Sequence, residues 1–179
     1  MEKSVFDNEA VSAGGVSKDQ VPAKAGLYCI QLENGADDFQ PPFDEIFRQR
    51  RDSLLYIGKA KGRGGLRRRL FDNELRNRGA GTFFRSLGVV LGHCEQVKPL
   101  RLGRNFSFEN ASEIADWIRA NLWVSWRVFQ VEEIDAIEQE LIRRRSPMLN
   151  IMHNPQAIEA LRHGRSDCVR RARARYQEP

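Results

Sequence analysis

Three short runs carry the strand signal in this chain, and their small number limits what it can build. Residues 26–32 (GLYCIQL) and 53–58 (SLLYIG) are β-rich, and 123–131 (WVSWRVFQV) is β-branched and aromatic almost throughout. Helical patterns fill much of the remainder. They comprise a basic segment at 66–78, an apolar one at 83–91 that fits helix better than strand, and 109–122, where Ile114, Trp117, Ile118 and Leu122 recur at helical spacing. Residues 132–145 follow, with acids in the first turn, three arginines at the end and Pro147 as the stop, and then a basic final segment at 155–175. Few strands among many helices predict an α+β domain, a small sheet covered by helices. Residues 1–20, with Gly14-Gly15, read as a flexible leader and 97–108 as loop. The polar connection at 33–51 is broken by Pro41-Pro42, with a short helix over 43–49. Its acids (Asp37, Asp38, Asp44, Glu45) read as a solvated loop rather than a lid.

Composition excludes several classes. A chain of 179 residues with 41% hydrophobic and 30% charged side chains holds enough apolar material for one sizeable core. The longest apolar stretches are a few residues, such as 88–92, so no membrane span is expected, and the charged N-terminus argues against export. Cys29, Cys94 and Cys168 are odd in number, far apart in sequence and free of a C-x-x-C pair, which fits a reduced cytoplasmic setting. His93, His153 and His163 show no zinc spacing, and the adjacent His93 and Cys94 cannot readily converge on one ion. The Trp and Ile side chains of 114–126 read as core, and Phe83-Phe84 with Arg85 as packing rather than nucleic-acid contact.

The net charge of +5 is unevenly spread. Lys61, Arg63, Arg67, Arg68, Arg69, Arg76 and Arg78 face only Asp72 and Glu74 within 61–78, and six arginines face only Asp167 within 162–175. The rest of the chain is therefore acidic. Two basic stretches on an acidic body suggest a polyanion, with an ordinary solvated face as the other reading; for the C-terminal run the two are evenly matched. The excess of arginine over lysine, 23 to 6, is explained more simply by genome composition.

One acid is out of place. At about 100° per residue from Ile134, Ile137, Leu141 and Ile142 fall at about 300°, 340° and 80°. Glu138 falls at about 40°, inside that apolar stripe, whereas Glu140 faces away at about 240°. A carboxylate there is costly unless it is paired or binds a metal, so Glu138 is either a functional acid or a marginal one paired with an arginine. The strands add two tyrosines in glycine-bounded triplets, Gly26-Leu27-Tyr28 and Tyr56-Ile57-Gly58. The second runs into Lys59, a glycine loop and Arg67, Arg68 and Arg69. Phenols, a cation, phosphate-binding arginines and a metal-binding carboxylate are parts for phosphodiester hydrolysis.

In this order the blocks resemble the GIY-YIG nuclease superfamily: Gly26-Leu27-Tyr28, then 55–61 (LYIGKAK), then 66–70 (LRRRL), then 137–142 (IEQELI) with Pro147 and Asn150. The resemblance covers roughly 22–152 and implies a nuclease domain over 21–152 with a basic helical extension at 153–179. Its sheet would be small and antiparallel, centred on three strands and flanked by helices. By the same resemblance, Tyr28 and Tyr56 are the paired tyrosines, one of which deprotonates the attacking water. Arg69 is the phosphate arginine, with Arg67 and Arg68 as possible substitutes. Lys59 is the lysine of the repair-type members, Glu138 the single metal acid for Mg2+ or Mn2+, and Asn150 the asparagine twelve residues on. The loop at 62–65 is longer than in the repair-type members, and Asn73 stands where many relatives carry a histidine, which leaves the base to a tyrosine. Lys61, Arg63, Arg67, Arg68 and Arg76 would hold the backbone of a double-stranded or branched DNA without reading its sequence. A non-cleaving DNA-binding module on the same scaffold and a nuclease acting on RNA are the alternatives.

Overall fold

The structure is a computed structural model and describes residue 6 and residues 9–33, 38–50, 53–79 and 81–177. The chain first forms β1 (Val11–Ser12), β2 (Gly26–Leu32), α1 (Phe43–Arg50), β3 (Leu54–Ala60) and a π-helical segment (Arg67–Glu74). It continues as α2 (Thr82–Val90), a 3-10 turn (His93–Gln96), β4 (Val97–Leu100), β5 (Asn105–Phe108) and α3 (Ala111–Asn121). It ends as β6 (Leu122–Val128), α4 (Ile134–Arg145) and α5 (Glu159–Gln177).

Strands β1, β6, β2 and β3 lie in that order in one antiparallel sheet. The expected three-stranded centre is β6-β2-β3. All seven residues of β2 are buried, which explains why its run is apolar rather than alternating: both faces are covered. On one face Tyr28, Ile30, Leu32 and Tyr56 meet Leu70, Phe83, Phe84, Leu87, Ile114 and Ile118. On the other, Leu27, Cys29, Leu54 and Ile57 meet Ile134 and Ile142 of α4. Strand β3 is at the sheet's edge, but its free side does not face water. The segment after α4 runs along it, with Met148 N–H donating to the Leu54 carbonyl (3.2 Å) and Leu149 N–H to that of Leu55 (2.7 Å).

Four sequence expectations need correction. The leader joins the sheet from Val11 onward and buries Ala13, Val16 and Val21 in the core. A side chain at Gly14 would fall 2.7 Å from the Arg119 carbonyl oxygen, so the glycine marks close packing rather than looseness. Residues 97–108 form a second, two-stranded sheet, β4 with β5, rather than a loop. Lys59 and Ala60, beyond the expected end of the strand at 58, complete β3. The cysteines that are distant in sequence are not all distant in space, since the thiols of Cys94 and Cys168 lie 3.1 Å apart. Of the acids in the long connection, Asp37 lies outside the described residues, Asp38 accepts from the Trp117 indole N–H (2.7 Å), and Asp44 and Glu45 begin α1. No helix among the described residues is long and apolar enough to cross a membrane.

Candidate active site

The β2–β3 register pairs Tyr28 with Gly58 and Ile30 with Tyr56. Both tyrosines therefore project from one face, and their ring centroids are 6.2 Å apart. The Tyr28 ring lies over Gly58. A Cβ there would meet Tyr28 Cζ and hydroxyl well inside van der Waals contact and Cε2 at 2.7 Å. The glycine of the second triplet is thus the seat of the tyrosine of the first. Tyr28 is wholly buried and donates its hydroxyl to Glu74 Oε1 (3.1 Å). Tyr56 is 7% exposed and reaches the wall of a pocket. Burial, then the Glu74 charge, holds both phenols well above the ordinary tyrosine range, so both are neutral.

Arg69 comes from the π-helical segment. Its Nη2 contacts Glu74 Oε1 at 3.0 Å and donates to Thr82 Oγ1 at 3.2 Å. Burial works against its charge, but Tyr28 and Glu74 outweigh that and the guanidinium stays charged.

From the opposite face, α4 carries Glu138 between the buried Ile134 and Ile142, on the stripe the angular count gives. Glu138 is 8% exposed, and its carboxylate takes the Lys59 ammonium on Oε2 at 2.7 Å. Lys59 also reaches Asp135 Oδ1 (2.9 Å), and Lys61 reaches Asp135 Oδ2 (2.7 Å). Burial would lower the Lys59 pKa, but its hydrogen bonds to Glu138 and Asp135 raise it overall.

The pocket, about 560 Å3, opens at the β3 edge and brings together Tyr56, Lys59, Arg69 and Glu138. Lys61, Arg63, Arg68 and Asn73 also line it. Five cations around one carboxylate suit a phosphate. Four expected residues lie elsewhere. Tyr28 is beneath the pocket. Arg67 donates to the Val21 carbonyl (2.9 Å), and Arg76 donates to that of Val16 (3.5 Å) while stacking 3.6 Å over the Phe71 ring centroid. Asn150 is buried outside the pocket, where Oδ1 accepts from Ile57 N–H and Nδ2 donates to the Ile57 carbonyl, both at 2.9 Å. It pins the strand between Tyr56 and Lys59. The C-terminal arginines include several pins as well: Arg162 donates to the Ile151 carbonyl and Arg175 to those of Val97 and Glu95.

Glu74 has no place among the sequence-derived site residues, yet it is fully buried and touches two of them. The one sequence signal for it is its position on an arginine-rich segment beside Leu70 and Leu75.

Glu138 also satisfies the donor chemistry of a divalent cation site. Its oxygens are hard ligands directed into the pocket, and Mg2+ takes one or two carboxylates together with waters and substrate phosphate. Among the described residues no group of three or more His, Cys, Asp or Glu side chains is gathered. A metal here would draw its remaining ligands from water and substrate.

The family model described as the GIY-YIG catalytic domain matches residues 26–167, which spans every element from β2 into α5. No curated protein and no solved structure matches the chain.

Proposed function

This chain belongs to the GIY-YIG superfamily of nucleases, and we propose that it is an endonuclease hydrolysing phosphodiester bonds in DNA with Mg2+ or Mn2+ held on Glu138. The observation carrying this reading is that Tyr56, Lys59, Arg69 and Glu138, drawn from three elements, line one pocket.

The residues divide the work. Lys61, Arg63 and Arg68 hold the backbone at the mouth, and Arg69 meets the scissile phosphate and balances charge growing on its non-bridging oxygens. Tyr56, at the pocket wall, orients the attacking water and, in the minor phenolate form that has first lost its proton to solvent and that the nearby Arg69 charge favours, accepts the water's proton. Tyr28 is unsuited to that task because its hydroxyl is buried and already donated to Glu74. Lys59 bridges Glu138 and Asp135, so it can remain on Asp135 when Glu138 engages a cation. Held on Glu138, a divalent cation would supply Lewis-acid stabilisation of the phosphate and the leaving oxygen. Asn150 keeps the Tyr56–Lys59 stretch of β3 in register.

The test is cleavage of plasmid, flap and branched DNA with Mg2+, Mn2+ or EDTA. Metal-dependent nicking is expected, and Glu138→Ala loses it while binding duplex within about twofold of wild type. Cutting by Glu138→Ala overturns the metal assignment. Binding without cutting by the wild type favours a non-cleaving module, and cutting confined to RNA changes the substrate.

A further inference from the structure

The π-helical segment buries a carboxylate that the proposed chemistry does not use. Glu74 is 0% exposed, and its two oxygens serve different parts of the fold. Oε2 accepts from the Phe84 backbone N–H at 3.2 Å, in the first turn of α2, where helix amides lack partners and favour negative charge. Oε1 takes both the Tyr28 hydroxyl (3.1 Å) and the Arg69 guanidinium (3.0 Å). A side chain at Gly81, the residue before α2, would fall 2.8 Å from the Glu74 carboxyl carbon, so the chain is built closely around this group.

We infer that Glu74 is a positioning residue for phosphodiester cleavage: rooted on the α2 amide by one oxygen, it clamps Arg69 Nη2 and the Tyr28 hydroxyl with the other. The inference rests on the nuclease reading above. With Nη2 held by Glu74 and Thr82, that edge of the guanidinium is fixed in the wall of the pocket where a phosphate would meet it. The guanidinium is planar and rigid, so a clamp that holds one edge sets the direction of the other. The same oxygen ties down Tyr28, whose ring stacks beside Tyr56, so Glu74 braces the arginine and the tyrosine pair together. A residue that merely caps α2 would need Oε2 alone.

The experiment uses the 15N-labelled full chain and the variants Glu74→Gln, Arg69→Ala and their double. In the wild type the Arg69 Nη–H resonances, identified by their loss in Arg69→Ala, are expected to show one dispersed signal that is slow to exchange. In Glu74→Gln it collapses towards the position of free arginine. With DNA as substrate, Glu74→Gln lowers kcat by about 10- to 100-fold and changes KM by less than about threefold. The double variant is no more than about twofold slower than Arg69→Ala, because Glu74 acts through that residue. Losses that multiply, or an Arg69 signal unchanged in Glu74→Gln, overturn the inference. If Glu74→Gln does not fold, Glu74→Asp, which keeps the charge but withdraws the carboxylate by one methylene, is read in the same way. A free-arginine signal in the wild type alone also overturns it. A wild type that cuts no nucleic acid defeats the nuclease reading instead, while the Arg69 resonance still decides whether the clamp exists.

Discussion

The seat of Tyr28 on Gly58 can be tested without any assumption about activity. Gly58 does not have a positive φ, so alanine is allowed there by the backbone. Replacing glycine by alanine at such a position ordinarily stabilises by about 0.4–1 kcal/mol through the unfolded chain. Here the new methyl would lie 2.7 Å from Tyr28 Cε2 and closer still to Cζ and the hydroxyl, where carbon atoms prefer about 3.5–4.0 Å. The ring cannot simply swing aside, because it is wholly buried, beside Tyr56 and bonded to Glu74. Overpacking of this kind costs about 1–3 kcal/mol, and prising the hydroxyl from its buried acceptor adds about 1–3 kcal/mol. The expected penalty for Gly58→Ala is therefore about 3 kcal/mol, or a fall of about 6–12 °C in Tm for a domain of this size.

The assay is urea and thermal unfolding of Gly58→Ala, Tyr28→Leu and the double variant. Leucine lacks the ring atoms that the methyl would strike, so Gly58→Ala should be neutral or slightly stabilising in the Tyr28→Leu background. The coupling between the two positions is then about 3 kcal/mol. An equal penalty in both backgrounds would refute the reasoning and place the constraint on the β3 backbone instead.

Two further expectations concern the same strand. Asn150→Ala leaves the N–H and C=O of Ile57 without partners on a covered edge and should cost about 2–4 kcal/mol in chemical unfolding; an unchanged midpoint would show that the edge is open to water. Tyr56 is held above the usual tyrosine range, so at neutral pH its phenolate fraction rises tenfold per unit as pH increases. Log kcat should accordingly climb with a slope near one from about pH 6 to 9 without a plateau, and Tyr56→Phe should abolish the slope. A flat profile for the wild type removes Tyr56 as the base.

Much of the fold was legible because burial leaves periodic traces. The Ile134–Glu138–Ile142 stripe of α4 and the apolar run of β2 both follow from what each side chain faces. What was not legible depended on partners distant in sequence. Strand β1 is two residues long and exists only because β6 offers Val124 and Trp123 to pair with. The β4–β5 hairpin hides behind Pro99, although the alternation of the buried Phe106 and Phe108 is a period-two signal. Glu74 was concealed by helix type. At about 100° per residue, Arg69 and Glu74 stand about 140° apart on an α-helix, which makes Glu74 a solvated acid. In the structure Leu75 N–H bonds to the Leu70 carbonyl five residues back (3.0 Å), and the widened turn carries Arg69 and Glu74 to the same side.

The arrangement of the candidate site follows from strand parity. Tyr56 and Lys59 are three residues apart on β3, so they project from opposite faces of the sheet. Tyr56 joins Arg69 and Glu74 on one face, and Lys59 joins Glu138 and Asp135 of α4 on the other. A strand paired on both sides would keep these two groups apart, because the sheet itself would stand between them. One pocket can touch both only around an edge, and β3 is at the edge. The same edge must be protected from pairing with another chain, and the segment 148–150 that follows α4 does this. Glu138 and Asn150 are therefore linked by more than sequence distance: the helix that delivers the carboxylate to the rim continues into the strap that closes the rim. Loosening the strap at Asn150 should disturb the position of Lys59 and, through it, of Glu138.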